Sequence, residues 1–232
     1  MFFKNMVIEM SFDLSKVEYN SYDVKRGIDI PTEVSPELCE DIGIHIGDGS
    51  IYLTKTRAEF RIGGNPKNES SYFTDFLAPL YKKLFNIAPK IRNEKRAICL
   101  ALYSRAIVTF KTNVLNMPVG EKSHIIDIPR FILKGKEFFI PCLRGIFDTD
   151  GSVYFDKSQN RPLIDISSVS PNLLETIKKY ANKLNLNMYY SGKHHLKLQG
   201  WKSFNLWLKL IASSNPKNVS RFEHILSKAP MV

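Results

Sequence analysis

Two stretches of this chain are one stretch written twice. ELCEDIGIHIGDGSIYL (residues 37–53) and FIPCLRGIFDTDGSVYF (139–155) align at an offset of 102, pairing Gly43 with Gly145, Ile44 with Ile146, Asp48 with Asp150, Gly49 with Gly151, Ser50 with Ser152 and Tyr52 with Tyr154. The segments downstream of the two copies repeat as well. Alternating, strand-like runs come first, IYLT and AEFRIGG in one copy, SVYFD and PLIDISSVS in the other. Helical periodicity then covers residues 70–85 and 171–185, and Pro79 is expected to kink the first of these. Two further strands are predicted near 88–93 and 97–103, and again near 187–192 and 194–199. A last helix falls near 104–116 and 201–213, the second with Trp201, Phe204, Trp207, Leu208 and Ile211 as its apolar stripe. The expectation is a pseudo-twofold α+β monomer of two αββαββα halves, with two saddle-like sheets and the duplicated helices packed at the centre. Residues 1–34 form an N-terminal extension, 35–117 the first half, 118–136 a linker and 137–232 the second half.

The duplicated helices carry their own start and stop signals. Ser35-Pro36 supplies an N-cap and an N1 proline, and Pro141 is expected in the first turn of the second helix. Each helix should end at Asp-Gly, with Gly49 or Gly151 taking the left-handed turn that stops it. Gly43 and Gly47 lie four residues apart, as do Gly145 and Thr149, so one face of each helix is nearly bare. Packing those faces together would bring Asp48 and Asp150 side by side.

Charge narrows the partner. The 33 basic and 23 acidic residues give a net charge of +10. Residues 82–111 hold eight basic residues against Glu94, and 193–228 hold seven against Glu223, so the remainder of the chain is net acidic. Two basic blocks, one per half, suit a polyanion. A hydrophobic content of 44% with 12% aromatics excludes intrinsic disorder. No run of about 18 apolar residues exists to cross a membrane, and MFFKNMVIEMSFDLSK lacks the form of a signal peptide. Cys39, Cys99 and Cys142 are too widely spaced for a CxxC zinc site and make no disulfide framework, which fits an intracellular location, cytoplasmic, nucleoid-associated or organellar. The five histidines show no metal-ligand spacing, and His45, inside the motif helix, is expected to pack at the helix interface.

Two adjacent carboxylates repel unless a proton or a cation intervenes. Hard divalent cations prefer carboxylate, carbonyl and water oxygens, and beneath a basic surface they suit phosphodiester hydrolysis. GIHIGDGS and LRGIFDTDGS resemble the two copies of the motif that names the LAGLIDADG homing endonucleases, and IDIPRFI (126–132) resembles the linker of their single-chain members. The resemblance spans about residues 34–228. In the first copy Ile46 replaces the more internal acid, which the second keeps as Asp148.

The resemblance implies a site-specific double-strand DNA endonuclease with Mg²⁺ as cofactor; Mn²⁺ or Ca²⁺ would occupy the same sites, Ca²⁺ without cleavage. Asp48 and Asp150 would be the catalytic metal ligands, with Gly47 and Thr149 lending backbone carbonyls. A basic residue late in the fourth strand of a half would lie beside them, here Lys197. Ala101 holds the matching place in the first half, leaving that role to Asn65 or Lys67. The sheets would lie along the major groove. Strand alternation turns Phe60 and Ile62 inward with Arg57, Glu59 and Arg61 outward, and Leu196 and Leu198 inward with Lys193, His195, Lys197 and Gln199 outward. Lys55, Lys90, Arg92, Lys157 and Arg161 complete the DNA-contacting set.

The partner is thus double-stranded DNA, with intron RNA as an alternative. An RNA-binding maturase or an inactive DNA-binding regulator on the same scaffold competes with the nuclease. Retention of both Asp48 and Asp150 favours the enzyme, and no appended helix-turn-helix supports the regulator. An intein is not expected, since the chain starts with Met1 and ends in APMV. VIEMSF is expected as an extra strand or docked arm, and NPKNVSRFEHILSK as a segment packed on the second half, offering Lys217 and Arg221 to DNA.

Overall fold

In the computed structural model, which describes residues 10–229, the duplication is a structural one. A short helix α1 (Ser21–Arg26) precedes the first half. That half runs α2 (Pro36–Gly47), β1 (Gly49–Leu53), β2 (Ala58–Gly64), α3 (Ala78–Phe85), β3 (Lys90–Asn93), β4 (Ile98–Leu102) and α4 (Arg105–Thr109). The second half runs α5 (Lys136–Asp150), β5 (Gly151–Asp156), β6 (Arg161–Ser167), α6 (Pro171–Lys183), β7 (Tyr189–Tyr190), β8 (His195–Gln199) and α7 (Trp201–Leu210), followed by α8 (Pro216–Leu226). Each half holds one four-stranded antiparallel sheet, in the orders β1-β2-β4-β3 and β5-β6-β8-β7. No helix among the described residues is long and apolar enough to cross a membrane.

The centre is the pairing of α2 with α5, and small residues set its closeness. A Cβ built on Gly43 would lie 2.1 Å from the Cys142 carbonyl oxygen, and one on Gly145 would lie 2.3 Å from that of Glu40. These are backbone atoms, so no side-chain rotation relieves the clash. Leu38, Cys39, Ile42, Cys142, Leu143 and Ile146 are buried in the same core. Burying each large aliphatic side chain contributes roughly 1.5–3 kcal/mol. The inward strand residues Phe60, Ile62, Leu196 and Leu198 close that core from the two sheets.

Four local expectations are corrected. Gly151 is extended (φ −96°, ψ 159°), and neither Gly49 nor Gly151 is left-handed. Both are required by space: a Cβ would meet the His45 Cα at 2.6 Å or the Phe147 carbonyl oxygen at 2.4 Å, because each strand leaves its helix at once. Helix α5 begins at Lys136, so Pro141 stands beyond its first turn and removes an internal hydrogen bond. The helix after β2 opens at residues 70–71, passes into a π-helical segment (Tyr72–Leu77) and is α-helical again from Ala78, next to Pro79. A wider turn before a proline relieves its clash with the preceding turn, so the expected kink is a change of helix type. A second π-helical segment (Phe110–Val114) follows α4. His45 is buried as expected, but it lies against Phe60 of the first sheet, with ring centroids 5.0 Å apart.

Of VIEMSF, residues 7–9 lie outside the described residues. The rest is a docked arm: Ser11 forms a lone antiparallel bridge with Glu33, and Phe12 packs edge-on against Phe110 and Phe131.

Candidate active site at the helix seam

The two motif helices end together. A Cβ on Gly47 would lie 2.0 Å from Thr149 Oγ1 and 3.3 Å from Asp150 Oδ2, so the end of α2 lies directly against the end of α5. Thr149 turns its hydroxyl back to the carbonyls of Gly145 (3.0 Å) and Ile146 (2.9 Å), which leaves Asp150 to face the seam. Asp48 is reached by solvent yet walled by protein on most sides. That crowding, then the charges of Asp150 and Glu69, pushes its pKa up to about 7, against the opposing pull of Lys122 and Lys217. Burial raises Asp150 to about 6, with Lys122 opposing.

Two lysines that sequence reasoning does not assign to the site are placed beside it. Lys122 Nζ donates to the Ile46 and Gly47 carbonyls, each at 2.6 Å. Burial draws its pKa down while Asp150 and Asp48 hold it up. Lys217, expected on the DNA backbone, instead pairs with Glu69, reaching from the second half to the first. Glu69 also accepts from Asn215 Nδ2 (3.3 Å) and from the Asn65 N–H (2.7 Å). Burial pushes Glu69 up, but those donors outweigh it and hold its pKa below the usual value.

A polar network underlies the second motif. Asp148, 1% exposed, accepts from the Ser213 hydroxyl and from the Ser214 N–H (2.9 Å), while its own carbonyl accepts from Asn215 Nδ2 (3.1 Å). Burial nonetheless raises Asp148 to about 7. Ser214 and Arg144 bond to Glu40 of α2, so the network crosses the seam.

The remaining assignments fall elsewhere. Lys197 lies opposite Asp165 in the ladder, 4.0 Å from its carboxylate and over the Tyr154 ring, on the outer sheet face; it is not among the charges that act on Asp48 or Asp150. Asn65 is exposed and its side chain closes a turn onto the Lys67 N–H (3.0 Å), while Lys67 itself is exposed in that loop. Neither side chain bonds to Asp48 or Asp150, but the Asn65 N–H holds Glu69, whose charge acts on Asp48. The Gly47 carbonyl is where the lysine of the linker binds.

The sequence signal for the two lysines exists but is out of register with the repeat. Lys122 follows the end of its half's last helical segment at Val114 by eight residues, and Lys217 follows Leu210 by seven. The preceding helical segments, Arg105–Val114 and Trp201–Leu210, match in length, but the stretch between the second strand and that helix is shorter in the second half, so an alignment at 102 misses the pair.

The outer sheet faces carry the predicted DNA-facing residues. Arg61, Lys90 and Arg92 share one face, since Arg61 and Lys90 both lie opposite Ala101, and Arg92 lies opposite Cys99. Arg57 and Arg61 flank the buried Glu59 on that face. Lys55, Lys157 and Lys193 are exposed in turns, and Arg161 is half-buried at the start of β6. His195 bonds Asp165 (3.1 Å), and Gln199 accepts from the Tyr189 hydroxyl (2.6 Å). Helix α8 packs on β5 as expected, with Arg221 exposed.

Residues 141–226 match the family model of a LAGLIDADG-like domain. The fold is that of solved homing endonucleases. It is similar to I-DmoI in complex with DNA and Mn (20% identity, 77% of this chain and 97% of that one, TM-score 0.54). It is also similar to I-WcaI bound to its DNA recognition sequence (15% identity, 90% and 96% covered, TM-score 0.60). A third similar structure is the LAGLIDADG meganuclease I-AabMI bound to uncleaved DNA (13% identity, 84% and 90% covered, TM-score 0.50). No curated protein matches by sequence.

Proposed function

We propose that this chain, with a LAGLIDADG-like domain in its second half and the single-chain LAGLIDADG fold throughout, is a metal-dependent, site-specific double-strand DNA endonuclease. The observation that carries the reading is the meeting of Asp48 and Asp150 at the ends of two helices packed by bare faces, between two sheets with basic outer faces. A carboxylate pair at raised pKa is a costly arrangement in an apo protein. A divalent cation removes the cost. The similar structures include one with DNA and Mn, one with DNA and Ca, and one with target DNA and Mg.

The donor set fits such an ion. Among the described residues there is no cluster of three or more His, Cys, Asp or Glu side chains that would form a closed cage. Two carboxylates and nearby carbonyls instead leave several positions to water and phosphate, as suits Mg²⁺. Asp48 and Asp150 would hold the ion, with the Gly47 carbonyl within reach if Lys122 moves aside. Bound there, the ion would supply Lewis-acid polarisation of the phosphate and a lowered pKa for attacking water.

The protein's own groups do the rest. Lys122 and Lys217, whose charges act on Asp48, would stabilise charge developing on the phosphate or donate a proton to the leaving oxygen. Ser213, Ser214 and Asn215 hold Asp148 and with it the end of α5, which fixes the direction of Asp150. The outer faces would hold the duplex, with Arg57, Arg61, Lys90, Arg92, Lys157, Arg161, Lys193, His195 and Gln199 as its contacts and Lys55 at the hairpin end.

The test is cleavage with Mg²⁺ of a randomised duplex library by the wild type, Asp48→Asn and Asp150→Asn. The reading predicts cutting by the wild type alone, with DNA binding kept by both variants. Equal cutting by all three proteins would refute it. Acceleration of intron splicing without DNA cutting would favour a maturase instead.

A further inference from the structure

Residues 10–34 have no counterpart in the second half, and they bring α1 to the end of the first sheet farthest from Asp48. Strand register fixes that position. Gly49 lies opposite Ile62, and Gly63 opposite Cys99, at the motif end; Leu53 opposite Ala58, and Lys90 opposite Ala101, lie at the other. At that far end α1 and the sheet enclose a cleft of about 350 Å³. Tyr22 and Arg26 come from α1, and Arg57, Lys90, Tyr103 and Arg105 from the sheet and the loops around it.

The helix is built in. Asp23, fully buried, accepts from the Asn20 N–H (3.3 Å) and from the Ala106 N–H (3.0 Å) in the first turn of α4. Arg26 donates to the Tyr103 carbonyl (2.6 Å), and Asn86 Nδ2 to that of Gly27 (2.9 Å). A segment of six residues cannot hold a helix alone; these clamps do. Yet the side turned outward carries Tyr22, 70% exposed, with the Arg26 guanidinium 5.9 Å from its ring centre. Asp23, Glu59 and Glu18 take up part of the charge of Arg26, Arg57 and Arg105. Lys90 lies 5.5 Å from the Tyr103 ring centre and has no acidic partner among the described residues.

We propose that this cleft binds the sugar-phosphate backbone of DNA that continues past the stretch covered by the first sheet. The inference rests on the nuclease reading, which puts the duplex along the same outer face. Lys90 and the arginines would meet phosphate oxygens, and Tyr22 and Tyr103 would present flat apolar surface to a sugar or base edge. The second half lacks such a helix, so the footprint would be longer at one end.

The experiment is a hydroxyl-radical footprint in EDTA on a duplex recovered by binding from a randomised library. It compares the wild type with a Tyr22→Ala/Lys90→Gln variant, whose exchanged side chains are exposed and support no backbone group. The variant is expected to lose the outermost protected nucleotides at one end only. It should bind roughly fivefold more weakly at moderate salt, with a salt slope smaller by about one. Unchanged protection and slope, with the duplex still bound, would overturn this inference and remove Lys90 from the duplex contacts, while the Asp48 and Asp150 cleavage test would still decide the nuclease reading. Recovery of no duplex at all would overturn both.

Discussion

The two motif helices end alike in backbone and differently in chemistry. At the end of α2, Ile46 is buried in the apolar core, and the nearest built-in cation is Lys122, bound to the Ile46 and Gly47 carbonyls. At the end of α5 the corresponding residue is Asp148, held by Ser213 and Ser214, and the cation in the first turn of α8, Lys217, is engaged by Glu69. The features kept in both copies are those the seam requires: a bare face and a terminal aspartate. The features that diverged tie one half to the other, since Ser214, Arg144, Asn215 and Lys217 all bond to Glu40 or Glu69 of the first half. A duplication fused in one chain is free to specialise each copy in this way.

The comparison can be broken first where the halves are alike. Gly43→Ala and Gly145→Ala each push a methyl into backbone across the seam, so each should cost more than about 4 kcal/mol in urea unfolding. A tolerated exchange at either glycine would mean that the helices are not packed this closely. The next effect probes the divergence. Ile46→Asp restores an acid to the first copy where no hydroxyl pair awaits it, and should destabilise by about 3 kcal/mol. A neutral result would show that Asp148 does not depend on its network. In cleavage, Lys122→Met is expected to slow the reaction by about 100-fold and Lys217→Met by less, because Glu69 already takes up much of that charge; strand-resolved rates would reveal the reverse order if it held.

A smaller effect lies in pH. The folded pKa of Asp148, about 7, stands above the ordinary aspartate value of 3.8. Its proton therefore favours the fold below about pH 4, and that contribution is lost as pH rises through 7. Asp148→Asn should weaken stability by about 1–2 kcal/mol near pH 5, with the deficit shrinking toward pH 8 in urea midpoints. Least affected should be Lys197→Ala: as a side chain of the outer sheet face it should change the cleavage rate by no more than about threefold at saturating DNA.

Much of the architecture was legible because it was written twice. Pairing Gly43 with Gly145 predicted the seam, and strand alternation placed Phe60, Ile62, Leu196 and Leu198 inward. The glycines at the helix ends were legible as required residues but not for the right reason: their constraint is space behind the strand, which depends on His45 and Phe147 in the turn above. Pro141 reads as a start signal, but α5 extends back five residues before it, from Lys136. Strand position points to Lys197, whereas the charges that act on Asp48 come from Lys122 and Lys217. Lys122 comes from the linker after the first half and Lys217 from the first turn of α8, out of register with the repeat, and Glu69 turns inward by accepting from the Asn65 N–H, which no periodicity announces.

Carboxylate titration by NMR in the metal-free protein asks most directly whether Asp48 and Asp150 share one site. Asp48 should titrate near 7 and Asp150 near 6, and Asp150→Asn should lower the Asp48 value by removing a neighbouring negative charge. Independent titration of both groups near 4, with Asp48 indifferent to the exchange, would contradict the account.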